Sequence, residues 1–163
     1  MKFSIIYVYF NTPSEICESI NSLDKAIGKN SYEIIIVDNN SPKKIPKSLL
    51  HDKRITVIKS KINGGFGYGC NLGAKLAKGE YILFLNPDTV LSEKSLIRML
   101  RTFIDIKKVG IVGPLMVDEK DHNLPTINSF ITFSRAIFAY SFLNKLFPNN
   151  PLSRKFWMKD ADR

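Results

Sequence analysis

With 163 residues, 44% hydrophobic and 24% charged, the chain has the composition of one globular domain with room for a core, not of a disordered or fibrous segment. Its 24 Lys and Arg against 15 Asp and Glu leave a formal charge of +9, which favours anionic partners such as nucleotides, phosphates or an anionic surface. The basic residues are scattered (Lys43, Lys44, Lys47, Lys53, Lys59, Lys61) and do not interleave with aromatics, so nucleic acid is not an expected partner.

Cys17 and Cys70 lack metal-ligand spacing, and His51 and His122 stand far apart in polar surroundings. The expectation is a cytoplasmic protein with two reduced cysteines. The N-terminus starts a strand at once without the shape of a signal peptide, and no stretch reaches the roughly 18 apolar residues of a membrane span.

In chain order, residues 3–9 are a β-branched and aromatic run that reads as a buried strand. Thr12 is placed to cap the helix that follows, with Pro13 in its first position and Glu15 completing a capping box. Ile16, Ile20, Leu23 and Ile27 recur at helical spacing until Gly28. Residues 32–37 form a second apolar strand, closed by Asp38-Asn39-Asn40-Ser41. A Lys- and Pro-rich loop, expected to be exposed, leads to a third strand at 55–58. The Gly-rich run 63–73 then enters a helix expected to continue through Ala74 to Lys78. Residues 81–85 predict a fourth strand, central in the sheet, which Pro87 must end. Ser92 is expected to cap an amphipathic helix with Leu96, Leu100, Phe103 and Ile104 on one face, and residues 109–112 predict a fifth strand. Strands alternating with helices indicate an α/β architecture with a mostly parallel sheet flanked by helices.

The alternation stops near residue 118, so residues 1–118 are expected to form the α/β domain. Residues 119–163 divide into a polar loop, an apolar helical segment from Phe130 to Phe147, and a tail in which Asp160 and Asp162 read as solvated. That apolar face is too wide for a surface helix of a small domain and calls for a partner: a missing domain, a second copy of the chain, or a membrane surface.

In a parallel sheet the polar clusters after the first, second and fourth strands share one edge, so Asn11, Asp38 to Ser41 and Asn86 to Asp88 converge there. The Gly-rich run opens a helix at that edge and lets backbone approach a ligand. Asp88, at the carboxyl end of its strand, suits a divalent cation that also holds phosphate oxygens, although Asn86 to Asp88 also reads as a simple turn. A dinucleotide fingerprint fails because Cys70 stands where Gly or Ala is needed, and no P-loop or Ser-His-Asp pattern occurs.

The ordered segments Ile6-Tyr-Val-Tyr-Phe-Asn11, Ile36-Val-Asp-Asn-Asn-Ser41, Asn63-Gly-Gly-Phe-Gly-Tyr-Gly-Cys-Asn71 and Leu85-Asn-Pro-Asp-Thr89 resemble the motifs of family 2 glycosyltransferases, nearest to the rhamnosyltransferase-like branch. The resemblance implies a Rossmann-like GT-A fold and transfer of a sugar, rhamnose among the candidates, from a UDP- or dTDP-linked donor. The acceptor would be a saccharide or lipid-linked molecule in cell-surface polysaccharide synthesis, with inversion at the transferred carbon. It further implies that Asp38 bonds the base or ribose beside the backbone of Tyr9 and Asn11. Asn63, Gly65 and Asn71 would shape the pocket, and Asp88 would hold Mg²⁺ or Mn²⁺ as the only carboxylate of a DxD-type motif. Tyr9-Phe10-Asn11 departs from the Thr-Tyr-Asn usual at that point.

Such enzymes resemble two halves, and this chain stops at Arg163, about where the acceptor half with its catalytic base would begin. The expectation is therefore a donor-binding half without that base, cytoplasmic or peripheral at the inner face of the membrane. The alternative is a non-catalytic assembly module that dimerises through the apolar helix. A nucleotidyltransferase fits less well, since residues 11–14 are not a Gly-rich phosphate loop.

Overall fold

The computed structural model describes residues 2–118, 120, 122, 124, 132–147 and 150–156. The chain divides into two compact units, residues 1–112 and 113–163. The first contains β1 (Lys2–Tyr9), α1 (Pro13–Ile27), β2 (Ser31–Asp38), a 3-10 turn (Lys47–His51), β3 (Ile55–Lys59), α2 (Phe66–Ala74), β4 (Tyr81–Leu85) and α3 (Ser95–Asp105). The four strands form one parallel sheet in the order β3-β2-β1-β4, with Tyr9 opposite Asp38 and Tyr7 opposite Leu85. The sheet and its flanking helices make the α/β fold that the alternation predicts.

β1 and β2 read as continuous apolar runs because both of their faces are covered. On one face Phe3, Ile5, Tyr7, Tyr9, Ile34 and Ile36 pack with Ile16, Ile20, Leu23 and Ile27 of α1 and with Leu96 and Leu100 of α3. The four apolar residues of α1 are at most 5% exposed, and burying each contributes about 1.5–3 kcal/mol. On the other face Ile6, Ile35 and Val37 pack against Leu72 and Ala74 of α2. That helix lies close to the sheet because a Cβ on Gly69 would stand 2.6 Å from Val8, and one on Gly73 2.5 Å from Ile6.

Several local expectations are corrected. Residues 109–112 form no strand, and Ile111 is 92% exposed. Strand formation needs a pairing partner, which the apolar pattern of a short run does not reveal. β4 lies at the edge of the sheet rather than in its centre, and Ile82 and Phe84 on it are exposed. α2 runs from Phe66 to Ala74, so it starts inside the Gly-rich run and stops short of Lys78, with Gly69 and Gly73 serving close packing rather than looseness. Thr12 precedes α1 without a side-chain cap, and its hydroxyl is buried without a partner among the described residues. Pro13 and Gly28 do bound that helix, Gly28 with a φ of +66°. α3 starts at Ser95 after the left-handed residue Lys94, so Ser92 is not its cap. Ile104 faces solvent, while the Phe103 ring packs tilted against Tyr81. The Lys- and Pro-rich loop is anchored by buried Ile45 and Leu49.

In the second unit α4 (Phe133–Tyr140) packs with α5 (Leu143–Leu146) and α6 (Pro151–Phe156). The apolar segment is thus two short helices; Phe130, Ile131, Asp160 and Asp162 lie outside the described residues. Phe133, Tyr140, Phe142, Leu146 and Phe147 are all exposed. Among the described residues no helix is long and apolar enough to cross a membrane.

Candidate nucleotide site at the carboxyl edge of the sheet

Parallel strands deliver their carboxyl ends to one edge, so the segments after β1, β2, β3 and β4 meet there. The β1–β2 ladder runs one step past the strands, the Asn39 N–H donating to the Tyr9 carbonyl at 3.0 Å. Beyond it, Asn11 and Asn40 take left-handed backbone, with φ of 59° and 57°. Asn tolerates that conformation better than most side chains, and here it turns both segments away from the sheet.

Asn11 ties the two turns together. Its N–H donates to Ser41 Oγ at 3.0 Å, and its Oδ1 accepts the Lys43 N–H at 3.2 Å. Asp38 accepts the Ser41 N–H, three residues on, on Oδ1 at 2.8 Å. No other hydrogen bond holds its carboxylate among the described residues, so Oδ2 is free for a ligand donor. The Tyr9 side chain points the other way: fully buried, it donates its hydroxyl to the Lys44 carbonyl at 3.0 Å, and only its backbone reaches the edge.

The Gly-rich entry to α2 is held by two asparagines. Asn39, only 3% exposed, donates Nδ2 to Asn63 Oδ1 at 2.8 Å and accepts the Gly64 N–H on Oδ1 at 3.2 Å. Asn63 Oδ1 also accepts the Gly65 N–H at 3.1 Å. Gly65, with a φ of +82°, makes the left-handed corner that starts the helix, where a Cβ would be strained. The N–H groups of Phe66, Gly67 and Tyr68 then open the helix without intrahelical partners, as first-turn amides must. A Cβ on Gly67 would meet nothing within 4 Å, so that backbone faces open space.

On the far side, Asn86 to Thr89 is a β-turn closed by the Thr89 N–H to the Asn86 carbonyl at 3.1 Å, with Pro87 buried below it. Asp88 sits exposed on this turn, and among the described residues its carboxylate has no hydrogen bond or ion pair. β2 and β4 flank β1, so the strands that lead to Asp38 and to the Asp88 turn run about 10 Å apart at the usual strand spacing. Among the described residues, no three His, Cys, Asp or Glu side chains gather to hold a metal. A cation at Asp88 would therefore need oxygens from a bound phosphate and from water, which is coordination Mg²⁺ accepts.

Asn11, Asp38, Asn63, Gly65 and the Tyr9 backbone are thus joined in one hydrogen-bonded edge, and Asp88 stands on the same edge without a bond to them. Asn71 is not joined to them; it is exposed on α2, beyond the first turn. Asn39 and Ser41, which make the central bonds, belong to the cluster from Asp38 to Ser41, in which the sequence marks only Asp38 with a role of its own. A signal for Asn39 exists: the two-residue period of β2 puts it on the face of Ile35 and Val37, towards α2.

The sequence pattern of glycosyl transferase family 2 matches residues 4–158. A poly(ribitol-phosphate) beta-glucosyltransferase of Bacillus spizizenii is 36% identical over 104 residues, which cover 60% of this chain and 16% of that relative. The poly(ribitol-phosphate) beta-N-acetylglucosaminyltransferase TarS of Staphylococcus aureus is 32% identical over 126 residues, covering 69% of this chain and 22% of TarS. A crystal structure of S. aureus TarS residues 1–349 in complex with UDP superposes with a TM-score of 0.52 at 27% identity, covering 69% of this chain and 38% of that one. The chain therefore spans less than a quarter of either curated relative, and neither relative's name specifies a rhamnosyltransferase. The match across nearly its whole length, with the ordered motifs gathered on one sheet edge, makes the chain a member of glycosyl transferase family 2.

Proposed function

We propose that this chain is the donor-binding part of a cation-dependent, inverting glycosyltransferase that uses a nucleoside-diphosphate sugar, UDP-linked in preference to dTDP-linked, to decorate a cell-surface polymer. The observation that carries the reading is that Asp38, with Oδ2 free, and Asp88, without a partner among the described residues, stand on the same sheet edge as a rigid, Gly-rich helix start. Asp38 Oδ2 accepts a hydrogen bond from the base or ribose, with the Tyr9 and Asn11 backbone beside it. Asp88 holds Mg²⁺ or Mn²⁺ together with the diphosphate. When bound, the cation supplies positive charge against the charge that develops on the leaving nucleoside diphosphate.

Transfer forms a bond between the acceptor oxygen and the anomeric carbon and breaks the bond from that carbon to the diphosphate, from opposite faces. The acceptor proton needs a base, and Asp38 and Asp88 are both committed to the donor. Nucleotide binding with little transfer is accordingly the activity assigned to this chain itself. The relatives whose names specify poly(ribitol-phosphate) support a polyanionic acceptor, and the +9 charge is of the sign that attracts one. A calorimetric comparison of UDP, dTDP and ADP in Mn²⁺ tests the reading: UDP binds most tightly and ADP least, and equal affinity for all three, or binding of none, overturns it.

A second reading, a non-catalytic assembly module, is favoured by the exposed apolar side chains of α4 and α5. Light scattering decides it: a tight dimer that takes up no nucleotide would replace the first reading.

A further inference from the structure

The turn that carries Asp88 is fixed from beneath by hydroxyl groups that apolar packing does not call for. Tyr7 on β1 and Ser19 on α1 are both fully buried, with their hydroxyl oxygens 2.9 Å apart. Ser19 Oγ also lies 2.5 Å from the carbonyl oxygen of Thr89, the residue after Asp88. A carbonyl only accepts, so the single Ser19 proton goes to Thr89, and Tyr7 must donate to Ser19. One turn along α1, Ser22 Oγ accepts the Leu91 N–H at 3.0 Å and donates to the Ser19 carbonyl at 2.6 Å. The Lys94 N–H donates to the Lys25 carbonyl at 3.2 Å and continues the attachment.

Two serines three residues apart thus hold one carbonyl and one amide of the segment that leaves Asp88. Ser19 stands among Ile16, Ile20 and Leu23, where a hydroxyl is costly to bury unless it is bonded. Asp88 itself has no partner among the described residues, so its direction is set by its turn and not by contacts of its own. We propose that Ser19 and Ser22 are positioning residues that hold Asp88 aimed at a cation–diphosphate before the ligand arrives. The inference rests on the reading of Asp88 given above. Its physical content is preorganisation: an anchored turn loses less freedom on binding than a loose one.

The test is calorimetric titration of the full chain with UDP in Mn²⁺ and in EDTA. Wild type, Asp88→Ala, Ser19→Ala, Ser22→Ala and Tyr7→Phe are compared by the ratio of the two affinities. Each serine variant lowers that ratio about fivefold, the worth of one ordinary hydrogen bond. Tyr7→Phe removes a buried hydrogen bond of similar worth but leaves Thr89 anchored, so its ratio stays at the wild-type value. A general loss of packing would instead weaken UDP equally in both conditions. Serine variants with the wild-type ratio, or a Tyr7→Phe ratio as low as theirs, overturn the inference. If Ser19→Ala does not fold, the comparison of Ser22→Ala with Tyr7→Phe decides by the same criterion. Loss of the Mn²⁺ increment in Asp88→Ala alone overturns only the serine roles. No increment in wild type overturns the donor reading as well.

Discussion

Replacing Asn39 by Ala should loosen the Gly-rich corner while leaving the sheet intact. The side chain is 3% exposed and makes two good bonds, to Asn63 Oδ1 at 2.8 Å and from the Gly64 N–H at 3.2 Å. A third contact, to the Gly65 carbonyl at 3.4 Å, is too long to add much. Each good bond nets about 0.5–1.5 kcal/mol, so the variant should lose about 1–3 kcal/mol. The loss stays at that level because Asn63 still accepts the Gly65 N–H. Urea unfolding measures it as a lower midpoint at unchanged slope. Asn39→Asp sharpens the test, since it keeps an acceptor for Gly64 but sets a carboxylate oxygen against Asn63 Oδ1. It should lose at least as much as the alanine variant at neutral pH and regain part of it in acid, where the carboxyl can donate. A loss below about 0.3 kcal/mol for Asn39→Ala would refute the view that this side chain holds the corner, being less than one ordinary hydrogen bond.

Gly67→Ala should separate fold from function. Its Cβ meets nothing within 4 Å, so the helix gains up to about 1 kcal/mol, while on the proposed donor reading UDP affinity falls because the added methyl enters the open space beside the Gly-rich corner; thermal melting and calorimetry check the two halves. Gly79→Ala should cost about 3 kcal/mol, the upper part of the overpacking range, because its Cβ would lie 2.6 Å from the Ser4 backbone nitrogen; an unchanged melting temperature would contradict the packing. Asp24 is held below its ordinary carboxylate range, chiefly by the Tyr32 hydroxyl and then by Arg54, and Asp52 chiefly by the Arg54 guanidinium. Carboxyls depressed in the fold stabilise it above their unfolded value, near pH ~3.9, and that contribution is lost as pH falls through the folded values. Because Asp24 and Arg54 are exposed and Asp52 is partly so, solvent screens the pairs and it amounts to at most about 1 kcal/mol. Arg54→Met should flatten the acid limb of the stability profile, and an acid limb identical to wild type would contradict the assignment.

The parts of the fold legible in the sequence are those set by local pattern. β1 and β2 announce themselves as apolar runs because a parallel sheet buries both faces, and α1 because Ile16, Ile20, Leu23 and Ile27 share one buried stripe. Convergence of Asn11, Asp38 and Asn63 followed from topology alone, since parallel strands end on one side. What local pattern missed depends on distant partners. The run at 109–112 has strand composition but no strand beside it, and β4 looks central because edge and centre differ by a neighbour, not by a residue type. The start of α2 was hidden because glycine reads as a breaker, whereas Gly69 and Gly73 serve close contact with Val8 and Ile6. Thr12, Glu15 and Ser92 matched capping patterns that the backbone then did not use. The period of β2 gives Asn39 its face but not its partner, and Ser19 carries no signature of its own; their roles appear only once β2 meets the Gly-rich corner and α1 meets the turn after β4.

The most direct test of the donor reading is cation linkage at Asp88: UDP titrated into wild type and Asp88→Ala, each with Mn²⁺ and with EDTA. Wild type should bind at least about tenfold more tightly with Mn²⁺, and Asp88→Ala should bind equally weakly in both, a coupling of about 1.4 kcal/mol. Equal affinity of wild type with and without Mn²⁺, or an undiminished Mn²⁺ effect in Asp88→Ala, would contradict the account.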